Sequence, residues 1–107
     1  MAADVEAVRL AISGYVAEVK NAMPIDRAFL FGSYAKGMSR ADSDIDLCFF
    51  SHSFESQPAV GIISQLLSMT HKYRDVYIEP HVFPMSELQN DNPFVKEILR
   101  TGEEILL

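Results

Sequence analysis

The sequence predicts an α/β (α+β) domain of two layers, a twisted mixed sheet with helices mainly on one face. Three observations predict it. Short apolar runs suited to strands, Ala28-Phe29-Leu30-Phe31, Leu47-Cys48-Phe49-Phe50 and the stretch Val76 to Phe83, alternate with segments whose apolar residues recur at helical spacing. The helical segment after Pro58 joins the second run to the third and is long enough for a crossover, which implies a parallel pair with right-handed winding. The first and second runs are separated by Gly32-Ser33 and a polar spacer, a layout that reads as strand, tight turn, short helix and strand. At 107 residues the chain is read as a single domain, 1–107, large enough for one core.

Asp4 to Ala22 reads as an amphipathic helix, because Val5, Val8, Ile12, Tyr15, Val16 and Val19 form one apolar stripe. Asp4 is placed to cap its start, and Asn21 with Pro24 marks its end. Gly14 costs this helix about 1 kcal/mol and is read as a point of close packing against the sheet. Ile25 to Phe31 is the first strand, Ser33 the cap of a short helix that Gly37 stops, and 39–43 a polar loop. The second strand runs from Asp44 to Phe50 and a loop follows to Pro58. The next helix reaches about Tyr73, with Val60, Ile63, Leu66, Leu67 and Thr70 expected inside. In the third strand Pro80 removes a ladder donor and so restricts the strand to an edge or an end. A turn of helix is expected at Ser86-Glu87-Leu88. After it, Asn92-Pro93 starts a helix with Val95, Ile98 and Leu99 inward, Gly102 ends it, and Glu103 to Leu107 can add a final strand.

The chemistry centres on residues 31–47. Side chains two apart on a strand share a face and lie about 6.5–7 Å apart at Cα, so Asp44 and Asp46 face one way and Ile45 and Leu47 the other. Carboxylates that close repel unless one takes a proton or a cation sits between them. Near neutral pH the expected solution is Mg²⁺, which favours carboxylate oxygen and completes its shell with water and substrate phosphates. Gly32 allows the backbone to turn and a ligand to approach closely, while Ser33 and the amides of the following helix offer donors to a phosphate.

An apolar strand ending in Gly32-Ser33, then the ten residues Tyr34 to Ser43, then Asp44-Ile45-Asp46 at the head of a second strand resembles the minimal nucleotidyltransferases of the DNA polymerase beta superfamily. The resemblance implies the nucleotidyltransferase fold and a third acid on a later strand, where Glu79 stands. It implies that Asp44, Asp46 and Glu79 are catalytic and hold two Mg²⁺ ions, and that Gly32 and Ser33 carry the phosphates of ATP. Lys36 would aim its ammonium at the triphosphate, with Arg40 a weaker candidate for that role. The transfer would move a nucleoside monophosphate, AMP above all, to an acceptor hydroxyl. The resemblance also implies a partner, since domains of this size accompany small helical HEPN-domain toxins and act as antitoxins by transferring AMP to them. Larger relatives carry an added helical domain over the site, so here a partner protein or another subunit is expected to cover it.

Composition narrows the rest. With 9 basic and 15 acidic residues and a net charge of -6, the chain lacks the cationic surface that grips a nucleic-acid duplex. No apolar run approaches the ~20 residues that span a bilayer and the N-terminus has no leader pattern, so a cytoplasmic protein is expected. The single Cys48 fits a reducing compartment and is read as a buried thiol. His81 shares the face of Glu79, in reach of the metal or the acceptor; as a lone histidine it is read as a satisfied polar residue. His52 and His71 have no zinc-site spacing. Two other functions fit the same residues: a binding module that neutralises a partner by contact without turnover, and a homodimer that nucleotidylates a small molecule such as an antibiotic.

Overall fold

The computed structural model describes residues 5–32, 44–73 and 76–107. Helix α1 (Val5–Ala22) leads into strand β1 (Arg27–Phe31), followed by β2 (Asp44–Ser51), α2 (Ala59–Ser68), β3 (Tyr77–Pro84), α3 (Pro93–Thr101) and β4 (Glu103–Ile105). Short 3-10 turns stand at His52–Ser56, Met69–Lys72 and Met85–Leu88. The sheet order is β3-β2-β1-β4, with β1 antiparallel to both β2 and β4 and β2 parallel to β3. The crossover through α2 accounts for the parallel pair. Pro80 lies on β3, an edge strand, where its missing N–H breaks no inner ladder.

Strand alternation sorts the side chains into two cores. On one face Ala28, Ile45, Leu47, Phe49 and Ile78 pack with Val8, Ile12, Tyr15, Val16 and Val19 of α1 and with Ile62 and Leu66 of α2. Full burial of an aliphatic side chain stabilises by roughly 1.5–3 kcal/mol, so the α1 stripe alone anchors that helix. Its hydroxyl-bearing member is satisfied as well, since buried Tyr15 donates to the Leu66 carbonyl at 2.7 Å. On the other face Phe29, Cys48 and Phe50 are covered by Val95 and Ile98 of α3, with Phe31, Phe83, Met85 and Leu88 around them. Among the described residues α1 and α2 thus lie on one face, and α3 crosses only part of the other.

Several local expectations are corrected. The segment after β2 is a 3-10 turn rather than a plain loop, because Phe54 is drawn into the core and Ser51 Oγ accepts from the Ser53 amide at 3.1 Å. Pro58, expected at the first helical position with Gln57 or Ser56 as the cap, is itself the cap of α2, and no side chain caps that end. Helix α2 buries Ile62 and Leu66, leaving Val60 81% and Leu67 46% exposed. Gly14 packs against Tyr73 rather than the sheet, for a Cβ there would lie 3.1 Å from the Tyr73 hydroxyl. Leu99 is 41% exposed, whereas Val95 and Ile98 are inward as expected. Asn92 caps α3, its Oδ1 accepting from the amides of Phe94 and Val95.

Candidate active site

The open part of the second face carries the acidic residues. In β2, Ile45 and Leu47 are fully buried, so the strand's alternation turns Asp44 and Asp46 out, Asp44 exposed and Asp46 partly shielded. The parallel register sets Glu79 beside Asp46, and His81 follows two residues on along β3. The side chains meet. His81 Nε2 lies 3.5 Å from Asp46 Oδ1 and 4.0 Å from Glu79 Oε1. The imidazole is set against aromatic rings, its centroid 5.1 Å from that of Phe31 and 5.9 Å from that of Phe94. Cys48, next on the same face of β2, is sealed under α3, and burial pushes its thiol far up, which removes it as a nucleophile.

Gly32 completes the site from the end of β1. Phe31 is paired with Asp46, and the chain turns at Gly32 with φ +78°, in the left-handed region that favours glycine. A Cβ at Gly32 would stand 2.4 Å from Asp46 Oδ2 and 3.3 Å from its Cγ. The Asp46 carboxylate therefore occupies the space a side chain would take. Expected site residues Gly32, Asp44, Asp46 and Glu79 thus share one end of the sheet; Ser33, Lys36 and Arg40 lie outside the described residues.

The electrostatics agree with the crowding. Burial, against the opposing influence of His81, raises the Glu79 carboxyl above its ordinary range, and the Asp46 and Asp44 carboxylates add to the rise. A hydrogen bond between Glu79 and Asp44 favours the protonated form in the same direction. Asp46, Glu79 and His81 each offer a ligand atom, and the three atoms lie within 4.8 Å of one another. Two carboxylates and an imidazole suit a divalent cation, whose charge would offset the carboxylate repulsion that adds to the effect of burial on Glu79. His81 was legible as a member of this face from its spacing to Glu79, but nothing in the sequence placed β3 so that its ring meets Asp46.

Residues 16–107 match the family described as Polymerase beta, Nucleotidyltransferase, a span that takes in all four strands and Gly32, Asp44, Asp46 and Glu79. Comparison with curated proteins gives no match. Among solved structures, the chain is similar to one described as a toxin-antitoxin with AMP-PNP, with a TM-score of 0.61, 16% identity and coverage of 85% of this chain and 69% of that one. It is also similar to a candidate nucleotidyltransferase from Sulfolobus solfataricus, with a TM-score of 0.56, 20% identity and coverage of 99% and 89% respectively. These likenesses concern the fold, and the family match extends over most of the sequence. A glycine turn beneath paired strand carboxylates, carried on this sheet and within that match, makes the chain a member of the polymerase beta nucleotidyltransferase family.

Proposed function

We propose that the chain moves a nucleoside monophosphate, AMP from ATP, to a hydroxyl on a partner protein. The observation that carries this reading is the convergence of Asp46 and Glu79 from neighbouring parallel strands at the glycine turn, with Asp44 hydrogen-bonded to Glu79. Asp44, Asp46 and Glu79 would hold Mg²⁺, two ions in the fullest occupancy, and bound Mg²⁺ supplies charge neutralisation for the phosphates and the acceptor oxygen. The turn at Gly32, with the Ser33 hydroxyl, would offer hydrogen-bond donors to the triphosphate. Lys36 and, more weakly, Arg40 would balance its charge. Glu79 is the residue suited to take the acceptor's proton, because it stands exposed beside Asp46 at the open end of β3. The oxygen of the acceptor attacks the α-phosphorus, the bond to the β-phosphate oxygen breaks, and pyrophosphate leaves.

A protein acceptor is favoured by two things. The site lies open on the sheet, with Asp44 and Glu79 exposed, and the exposed apolar ring of Phe94 stands against His81 at its border, which suits a protein surface better than solvent. The fold neighbour described as a toxin-antitoxin with AMP-PNP supports both nucleotide and toxin as partners. On that basis the proposed acceptor is a helical HEPN-domain toxin, with this chain, 1–107 as one domain, as a cytoplasmic antitoxin. Among the described residues no helix is long and apolar enough to cross a membrane.

The test is incubation with α-labelled ATP, Mg²⁺ and the product of the neighbouring reading frame. Label should appear on that product and vanish with Asp44→Asn and Asp46→Asn. Neutralisation of the partner by both variants, without label, would instead establish binding without turnover.

A further inference from the structure

The third acid of the site is followed, two residues along the same strand face, by an imidazole that reaches back over it. Nε2 of His81 lies 3.5 Å from Asp46 Oδ1 and 4.0 Å from Glu79 Oε1. Ligands about 2.1 Å from a common divalent ion stand roughly 3.0–3.4 Å apart on adjacent corners of an octahedron or a tetrahedron. The two edges that His81 makes therefore need to close by about 1 Å or less to admit such an ion. The ring is also packed on two sides, edge-on to Phe31 and tilted against Phe94, with only 28% of the side chain exposed.

We propose that His81 is a direct ligand of the cation that Asp46 and Glu79 hold, and that its nitrogen tilts the site from Mg²⁺ toward first-row transition ions. The inference deepens the transferase reading and rests on it, since that reading puts a divalent ion at these carboxylates. An all-oxygen set suits Mg²⁺, which gains little from nitrogen, whereas an imidazole among carboxylates adds affinity for borderline ions. His81 thus sets which metal the site retains, while the carboxylates set that it retains one.

Mn²⁺ serves as the probe on the full-length chain. Electron paramagnetic resonance counts free against bound Mn²⁺, competition with Mg²⁺ gives the preference, and pulsed measurement detects ¹⁴N coupling from a directly bound imidazole. The expected result is Mn²⁺ bound with nitrogen coupling that changes on ¹⁵N-histidine labelling. In His81→Ala the coupling should disappear and Mn²⁺ affinity fall at least ~10-fold, with Mg²⁺ affinity little changed. Coupling that keeps its ¹⁵N-histidine sensitivity in His52→Ala/His71→Ala assigns it to His81 and leaves the packing on Phe31 untouched, so the question is decided even where His81→Ala loosens that packing. Mn²⁺ bound in a manner that Asp46→Asn abolishes, but without nitrogen coupling, overturns the role of His81 and leaves the transferase reading standing. No Asp46-dependent binding of either ion overturns both.

Discussion

Replacing Gly32 with alanine tests the turn and the carboxylate together. Its φ of +78° places an added side chain in the left-handed region, which costs of order 1–3 kcal/mol for a residue other than glycine. The new Cβ would also stand 2.4 Å from Asp46 Oδ2, so the carboxylate must retreat by about 1 Å to reach ordinary contact near 3.4 Å. A displacement of that size at a reacting centre costs on the order of 100-fold in rate. Thermal melting of Gly32→Ala should therefore show a loss of about 1–3 kcal/mol, roughly 4–20 °C for a domain of this size. Transfer of label from ATP should fall at least ~100-fold. The two causes separate in an Asp46→Ala background, where the carboxylate is gone and only the backbone cost remains. A Gly32→Ala protein with unchanged melting and unchanged Asp46-dependent metal affinity would refute the close packing of turn and carboxylate.

Other perturbations have equally definite outcomes. Because the folded-state Glu79 carboxyl is raised, the native form holds more protons than the unfolded chain between the ordinary glutamate value and the raised one; stability contributed by this group falls as pH rises through that window. Glu79→Gln should flatten that part of the pH–stability curve and leave the metal-free protein at least as stable as the parent at neutral pH, as denaturant titrations at several pH values would show. Tyr15→Phe removes the buried donor to the Leu66 carbonyl and should cost about 1 kcal/mol in urea unfolding, limited because the Met69 amide still serves that carbonyl. Arg27→Ala breaks the two bonds from Arg27 to Glu104, which tie β1 to β4 at 2.8 and 2.9 Å. Both side chains are more than a third exposed, so the loss should stay within about 1 kcal/mol and shrink in high salt.

The strands and their faces were legible because alternation leaves little freedom where one side is buried. Ile45 and Leu47 had to go inward, and that alone turned Asp44 and Asp46 outward. Pro80 told the edge strand in advance, and Asn92-Pro93 told where α3 begins. In helix α2 Leu66 was read inward correctly, but Val60 and Leu67 were placed inside and Ile62 was missed, for a physical reason. Its sequence, Ala59-Val60-Gly61-Ile62-Ile63-Ser64-Gln65-Leu66-Leu67-Ser68, is apolar nearly all round, so spacing alone does not choose between Ile62 and its neighbours. The position of α3 over Cys48 and Phe50 depends on long-range packing that no local pattern records. Near the turn at Gly32, the shared face of Asp44 and Asp46 followed from strand alternation and Glu79 was named through the family resemblance, while the approach of His81 to Asp46 required the β2–β3 register to be known.

If the glycine turn and the three carboxylates grip one metal-bound nucleoside triphosphate, a crystal structure of the chain with a non-hydrolysable ATP analogue and Mg²⁺ will show it. Metal density should touch Asp44 and Asp46, with the triphosphate passing beside Gly32. Nucleotide bound elsewhere on the molecule, with this face left empty, would contradict it.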